Sequence, residues 1–192
     1  MKLSRRQFIR TTAASAVIAP NIIPDSAWAN KPSGRINLGF IGFGRMNSSH
    51  LNFFLGQADC RVVSIAEVAK VRLDEAIKRV VGKYGANHGC KAHNDFRNII
   101  GDTSVDAVVI GTPDHWHAMQ AIMAADAKKD VYCEKPLTVT VRAARETLKA
   151  ARRNNIVFQV GSQQRTEYGG KFRQAVESVR NGRIGEVKKV KI

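Results

Sequence analysis

A glycine-rich turn that follows an apolar run is the first part of this chain that could do chemistry. Gly42 and Gly44 come directly after the apolar residues 36–41, and the pattern reads G-x-G-x-x-N. Gly42 can adopt backbone angles that a Cβ atom forbids. Because Gly44 has no side chain, a pyrophosphate can approach the backbone and bind the free N–H groups at the start of the next helix. The turn therefore predicts a phosphate site, with an ordinary strand–turn–helix unit as the alternative.

A dinucleotide-binding turn also requires a small third residue, so that the helix and the strand can pack closely. Asn47 stands at that position, and we expect looser packing of the helix there. The residues that would border a bound pyrophosphate are Gly42, Phe43, Gly44, Arg45 and Met46.

Glu67 is the next residue with a chemical interpretation. It follows the apolar run 61–66, and an acidic residue about 20 positions after the glycine turn hydrogen-bonds the ribose hydroxyls in NAD sites. Its charge would repel the 2′-phosphate of NADP, so the sequence favours NAD, with NADP the less favoured cofactor. The alternative is a solvated acid at the end of a strand.

Apolar runs and amphipathic segments alternate through residues 34–165. We predict strands at 36–41, 61–66, 105–110, 130–133 and 156–160. We predict helices at 46–55, 71–84, 95–100, 118–127 and 139–154, the last with Thr138 as its N-cap, and a loop at 85–94. This alternation at short spacing is typical of an α/β fold with a doubly wound parallel sheet.

The residues with chemical interest share one position in such a sheet. Ligands bind outside the carboxyl ends of the strands. Gly42, Glu67, Thr112 and Lys135 all stand at predicted strand ends, as do residues 161–165. Their agreement predicts one binding cleft more strongly than any single motif does.

The charge and the cysteines bear on several other classes of protein. The formal net charge is +15, but the basic residues are scattered over helical segments and form no stripe with aromatic residues. This favours a solvated basic surface over a nucleic-acid partner. Three cysteines without a C-x-x-C spacing predict no disulfide framework and no metal site. His115 and His117 lack a third ligand for zinc.

The N-terminal segment has the order of a signal peptide. Arg5 and Arg6 precede a mildly apolar run, residues 11–23, and an A-x-A cleavage pattern ends at Ala29. The apolar run is too short to span a bilayer stably. We therefore expect residues 1–29 to be a twin-arginine (Tat) signal peptide, and the mature protein to be periplasmic or secreted without a membrane span. A basic N-terminal helix is the alternative.

Three motifs at the strand ends resemble those of the Gfo/Idh/MocA (glucose–fructose oxidoreductase / inositol dehydrogenase) family. They are T-P-D-H-W-H at 112–117, Y-C-E-K-P at 132–136 and G-S-Q-Q-R at 161–165. The resemblance covers essentially all of residues 34–192. It implies a Rossmann domain at 34–165 followed by a second α/β domain. It also implies oxidoreduction of sugars, inositols or related polyols with a pyridine nucleotide.

The resemblance also implies roles for individual residues. Lys135 would be the catalytic lysine, oriented by Glu134, and Gln164 and Arg165 would face the substrate. The chemistry is consistent, because a base must take the hydroxyl proton as hydride leaves the carbinol carbon. An ordinary loop lysine and a structural role for residues 164 and 165 are the alternatives. Cofactor contacts are implied for Gly42, Gly44, Glu67, Thr112, Pro113, His117 and Glu134.

Two positions depart from the family pattern. Asn47 replaces the third small residue of the turn. Lys128 stands where the helix before the fourth predicted strand usually ends in glycine, and a lysine there costs stability if that position has a positive φ. Neither change removes a residue to which a chemical role is assigned.

Residues 166–192 are expected to form a linker helix, at 170–181, and the first strand of a second domain, from Val187. In the resembled family that domain completes the substrate pocket and most of the oligomer interface. We therefore expect a truncated chain that is inactive alone, and a homo-oligomer only in a full-length form. The alternatives are a non-catalytic NAD-binding fragment and an NAD-dependent glycosidase, a class that the same superfamily contains.

The signal-peptide interpretation can be tested with a reporter. Residues 1–33 fused to a reporter that folds in the cytoplasm should direct it to the periplasm, because twin-arginine signals are read as export addresses. Replacing both arginines, Arg5→Lys with Arg6→Lys, should abolish export, whereas Lys2→Ala should leave it unchanged. Periplasmic reporter activity is the measurement, and wild-type export of the double variant would contradict the interpretation.

Overall fold

The computed structural model of this chain describes residues 34–165 and 168–190. The predicted signal peptide lies outside the described residues and stays a prediction. The fold set out below is that of the unit that begins at Ile36.

The described residues form strands and helices in nearly strict alternation. The strands are β1 (Ile36–Ile41), β2 (Cys60–Ala66), β3 (Lys91–His93), β4 (Ala107–Ile110), β5 (Asp130–Glu134) and β6 (Phe158–Gly161). The helices are α1 (Arg45–Leu55), α2 (Lys70–Tyr84), α3 (Arg97–Gly101), α4 (Asp114–Asp126), α5 (Val141–Asn154) and α6 (Lys171–Arg180). Two 3₁₀ turns, Gln163–Arg165 and Tyr168–Gly170, separate β6 from α6.

The six strands form one sheet in the order β3-β2-β1-β4-β5-β6. All of its pairs are parallel, and the chain reverses direction across the sheet between β1 and β4. This is a Rossmann-like α/β fold, so the predicted doubly wound parallel sheet is confirmed. The point of reversal is where ligands bind in sheets of this topology.

The register of the central strands places their carboxyl ends at one level. Ile41 pairs with Ala66 on one side and with Ile110 on the other, and Ile110 pairs with Cys133. The residues that follow these four positions therefore start one row along the edge of the sheet. This common level brings the residues predicted at the ends of β1, β2, β4 and β5 to the same edge of the sheet: Gly42, Glu67, Thr112 and Lys135.

Helices pack on both faces because alternate strand residues point in opposite directions. One buried cluster joins β1 and β2 to α1 and α2: Leu38, Phe40, Val62, Leu51, Leu73 and Val80. The other joins β4 and β5 to α3 and α4: Val108, Ile110, Val131, Ile99, Ala121 and Ala124. Burial on both faces explains why the strands are almost continuously apolar in sequence.

Two parts of the predicted secondary structure differ from the observed elements. The predicted loop at 85–94 contains the short edge strand β3, which is paired to β2 over three residues; its residues Lys-Ala-His carry no apolar alternation. Helix α4 begins at Asp114 instead of residue 118, directly after Pro113. Proline suits a helix start because it has no N–H to leave unpaired, and an acid in the first turn is favourable there.

The N-cap of α5 is Thr140 instead of the predicted Thr138. The Thr140 Oγ1 accepts a hydrogen bond from the Ala143 backbone N–H at 3.2 Å. Thr138 has a different role, since its hydroxyl donates to the Thr140 carbonyl oxygen at 2.9 Å. The two threonines thus shape the helix start together.

Lys128 does adopt the conformation that would favour glycine, with φ of 59°. Its Nζ donates to the Asn154 Oδ1 at 2.8 Å, so the side chain contributes a contact between the loop after α4 and helix α5 that glycine would lack. The bounds of α6, Lys171–Arg180, are close to those of the helix predicted at 170–181. Residues 187–190 belong to no strand, so the strand predicted from Val187 is not formed over them. None of the described helices is long and apolar enough to cross a membrane.

Candidate functional site

A cleft of about 850 Å³ lies along the carboxyl ends of the strands. Most of the residues with a predicted role line it: Gly42, Gly44, Arg45, Met46, Glu67, Thr112, Pro113, His117, Glu134 and Lys135. The predicted convergence of the strand ends on one cleft is therefore observed. Phe43, Gln164 and Arg165 are not among its lining residues.

The glycine turn brings the ends of β1 and β4 into contact. Gly42 has φ of +81°, and a Cβ atom there would lie 2.7 Å from Thr112 Cγ2. Glycine is therefore required by both the backbone conformation and the available space. Gly44 is the N-cap residue of α1, and the first N–H groups of that helix have no partner within the helix. Gly44, Arg45 and Met46 line the cleft.

Asn47 does not loosen the turn, contrary to the expectation from its size. Its side chain is fully buried, and its Nδ2 donates to the carbonyl oxygens of Gly42 at 2.7 Å and Ile41 at 3.2 Å. The space for it comes from Gly111, where a Cβ atom would lie 2.3 Å from the Asn47 Cγ. Gly111, at the end of the neighbouring strand β4, thus provides the small residue that the helix lacks. The Asn47 side chain hydrogen-bonds α1 to the end of β1.

Glu67 is buried and holds the turn in place. Its Oε2 accepts the Phe43 N–H at 2.7 Å, and its Oε1 accepts the Ala69 N–H at 2.9 Å. A carboxylate can accept about four hydrogen bonds, so both oxygens keep capacity for a ligand. The Phe43 ring is buried in the core, which is why this residue meets the site only through its backbone.

The loops after β4 and β5 are joined by His117. This buried ring places Nδ1 2.7 Å from the Pro136 carbonyl oxygen and Nε2 2.8 Å from the Thr112 carbonyl oxygen. Both nitrogens are therefore used inside the protein. The Thr112 hydroxyl in turn donates to the Gln120 Oε1 at 2.7 Å. His117 thus contributes to the site by fixing the cleft walls.

Lys135 is exposed at the cleft, directly after the buried Glu134. The Lys135 backbone N–H donates to the Glu134 Oε2 at 3.1 Å. The other oxygen of Glu134 lies 2.6 Å from His50 Nε2 and also accepts from the Gln163 side chain. The buried Glu134 carboxylate, held by these donors, thus fixes the backbone of the exposed Lys135.

Residues that follow β3 form a further wall that was missed from the sequence. Phe96 packs edge-on against Trp116, with ring centroids 6.2 Å apart, and the Arg97 guanidinium lies over the Phe96 ring at 5.2 Å. The backbone N–H and the guanidinium of Arg97 hold the pKa of Asp95 below its ordinary value. This wall could not be predicted from the sequence, because it follows β3, and the residues of β3 have no strand pattern.

Gln164 and Arg165 are exposed in the 3₁₀ turn after β6. The preceding residue, Gln163, points instead into the sheet edge, where its Nε2 lies 3.0 Å from the Tyr132 hydroxyl. His50, in the middle of α1, was also missed. Single polar residues in a helix or a turn carry no local pattern from which their tertiary contacts could be inferred.

The cysteines are buried free thiols, at positions 60, 90 and 133. Burial raises the pKa of Cys90 to about 12, and burial with the nearby Glu134 charge raises the pKa of Cys133 to about 12. These two thiols are therefore protonated and unreactive at neutral pH. No group of three or more metal-binding side chains occurs within the described parts of the chain.

The oxidoreductase family model GFO_IDH_MocA, with an NAD-binding Rossmann fold, matches residues 36–162. The chain belongs to this family, which confirms the resemblance drawn from the strand-end motifs. That membership makes it an NAD(P)-binding Rossmann protein of an oxidoreductase family.

Individual relatives cover most of this chain. The myo-inositol 2-dehydrogenase of Thermotoga maritima is 29% identical over 151 residues, which are 79% of this chain and 42% of that protein. A glycosyl hydrolase family 109 protein of Shewanella pealeana is 26% identical over 206 residues, covering 97% of this chain and 45% of that protein.

A solved structure gives the same result at the level of the fold. The scyllo-inositol dehydrogenase from Lactobacillus casei, with bound cofactor NAD(H) and scyllo-inositol, has a TM-score of 0.65 and 26% identity to this chain. The match covers 79% of this chain and 43% of that one. The chain spans less than half of the length of these relatives.

The buried amide of Asn47 should be a substantial source of stability. Asn47→Ala removes the donor to the Gly42 and Ile41 carbonyl oxygens, and we expect a loss of about 2 kcal/mol in the free energy of unfolding. Asn52→Ala, an exposed asparagine on the same helix, should change it by less than about 0.5 kcal/mol. Urea unfolding of both variants measures the difference, and equal effects would show that the amide is unimportant.

Proposed function

We propose that this chain binds NAD in the cleft and forms the cofactor-binding part of an oxidoreductase that acts on a CH–OH group of a sugar, an inositol or a related polyol. The observation that carries the proposal is the placement of the glycine turn, Glu67 and Lys135 around one cleft. Each of these features alone has an ordinary structural explanation. Their common location has its simplest explanation in a dinucleotide site.

The residues present fit a dinucleotide. The cleft volume of about 850 Å³ lies within the range of roughly 300–1,000 Å³ that small-molecule sites occupy. Gly42 and Gly44 leave the backbone open at the start of α1, where the helix dipole favours an anion. The pyrophosphate would bind there, beside Arg45 and Met46, while Thr112 and Pro113 would border the opposite side.

Glu67 supports NAD over NADP. It is a buried acid at the end of β2, and its carboxylate oxygens already accept two backbone N–H groups. The ribose hydroxyls could donate to its remaining lone pairs, whereas a 2′-phosphate would meet a fixed negative charge. Arg72 and Arg97 also line this part of the cleft, but the Arg97 charge is paired with Asp95 at 3.0 Å.

Lys135 is the residue proposed to move the proton. The bound nicotinamide would supply the hydride acceptor. As the hydroxyl proton of the carbinol leaves, the Lys135 amine in its neutral form accepts it, and the resulting ammonium stabilises the negative charge that develops on oxygen. Glu134 holds the backbone of the lysine, and His117 holds the loop that follows it, so the amine is presented to the cleft from a fixed base.

The role of Glu67 can be tested by calorimetry. We expect the chain to bind NAD, and to bind NADP at least about tenfold more weakly, because like charges in a partly buried site repel. Glu67→Gln should weaken NAD binding by about 10- to 100-fold, since hydrogen bonds to a charged acceptor are lost, and should narrow the preference for NAD. Glu146→Gln, an exposed acid on α5, serves as the control.

Binding of NADP more tightly than NAD by the wild-type chain would overturn the assigned preference. Unchanged NAD affinity in Glu67→Gln would overturn the ribose contact. Absence of binding to either nucleotide would remove the proposed cofactor site altogether.

The role of Lys135 can be tested by NADH formation with sugars and inositols. In this chain completed with the second domain of a family member, Lys135→Ala should lower kcat by about 10²- to 10⁴-fold, because the proton acceptor is lost. Lys149→Ala, on the exposed face of α5, should leave the rate unchanged. Full turnover by the Lys135→Ala variant would show that another group takes the proton.

Two alternatives remain distinguishable in the same experiments. NAD binding without NADH formation by the completed chain would favour a non-catalytic binding module. The similarity to a glycosyl hydrolase family 109 protein over 97% of this chain makes an NAD-dependent glycosidase the second candidate. Release of the aryl group from aryl glycosides, dependent on added NAD, would favour the glycosidase over the dehydrogenase.

A further inference from the structure

A polar cluster lies behind Lys135, on the sheet side of the cleft wall. Its centre is the Glu134 carboxylate, which is 3% exposed. His50 from α1 and Gln163 from the turn after β6 both meet Glu134 Oε1, and the Lys135 backbone N–H meets Oε2. Two segments that are far apart in sequence therefore converge on the residue that precedes the lysine.

The packing around the cluster leaves little freedom to its members. The His50 ring lies edge-on to the Tyr132 ring, with centroids 5.3 Å apart, and the Gln163 Nε2 lies 3.0 Å from the Tyr132 hydroxyl. A Cβ atom at Gly161 would approach the Glu134 Oε1 to 2.7 Å and the Tyr132 hydroxyl to 2.8 Å. The carboxylate is thus confined by β6 on one side and by His50 on the other.

The cost of burying a charge explains why these donors matter. A buried carboxylate is strongly destabilised unless hydrogen bonds replace its water. His50 lies 2.6 Å from Glu134 and has a side chain that is only 14% exposed, so its donor is shielded from competing solvent. If this donor is removed, the Gln163 amide still meets Oε1. A carboxylate that turns to replace the lost donor by water takes its Oε2 away from the Lys135 N–H.

We infer that His50 is a positioning residue, which acts through Glu134 to fix the backbone of Lys135 at the cleft. The inference rests on the proposed function, in which Lys135 takes the substrate proton. Helix α1 therefore has two tasks: its first turn faces the pyrophosphate position, and its sixth residue holds the lysine loop. Gln163 supports the same carboxylate oxygen from the turn after β6.

The test is amide hydrogen exchange of the Lys135 N–H, followed by NMR on the whole ¹⁵N-labelled chain. In His50→Leu this amide should exchange about 10- to 100-fold faster, because a Glu134 carboxylate that has lost its His50 donor no longer holds Oε2 against the Lys135 N–H. Exchange in the central strands β1 and β4 should change far less. His50→Gln keeps a side-chain N–H donor at similar reach and should restore exchange to near the wild-type rate.

Two further variants guard against a general loss of stability. Gln163→Leu removes the other side-chain donor to Glu134 Oε1 and should accelerate the same amide, even if His50→Leu fails to fold. His115→Leu replaces an exposed histidine on α4, which does not touch the cluster, and should leave Lys135 exchange unchanged.

Equal acceleration across the whole sheet would reduce His50 to a structural residue and overturn the inference. Unchanged Lys135 exchange in His50→Leu, or failure of His50→Gln to restore it, would overturn the inference as well. NAD titration of the same samples separates this result from the proposed function. If the wild-type chain does not bind NAD, the proposed function is refuted. The exchange rates would still show whether His50 affects the Lys135 N–H.

Discussion

The level register of the central parallel strands is the constraint on which the cleft depends. Because Ile41, Ala66, Ile110 and Cys133 lie side by side, the chain leaves the sheet at four neighbouring points. A shift of one residue in any pair would turn a strand-end side chain to the other face. The apolar clusters on both faces make such a shift costly, so hydrophobic packing far from the cleft determines where its polar groups stand.

Two buried carboxylates then organise the polar edge of the sheet. Glu67 follows β2 and Glu134 ends β5, the two strands that flank the central pair β1 and β4, and both acids are almost fully buried. Each accepts a backbone N–H close to it, from Phe43 and Lys135 respectively. A buried charge needs several hydrogen-bond donors. Each acid is therefore hydrogen-bonded by backbone or side-chain groups from the segments around it. The glycine turn and the lysine loop are held by the same physical means.

Much of this arrangement could be predicted from the sequence, and the remainder could not for identifiable reasons. Apolar runs reveal strands that are buried on both faces, so the central strands and the residues at their ends were placed correctly. The edge strand β3 escaped because its three residues have no apolar pattern. The aromatic wall near Phe96 and the convergence of His50 and Gln163 on Glu134 depend on tertiary contacts, which leave no trace in local spacing.

Asn47 and Gly111 have a consequence for how nucleotide-binding turns are recognised. The fingerprint is written as a requirement on one position, but here the requirement is met by the combined volume of two residues that lie on different elements. A search that insists on a small residue in the helix would reject this chain, although its helix and sheet are in close contact. Close packing requires enough space between the helix and the sheet, and a small residue on either element can provide that space.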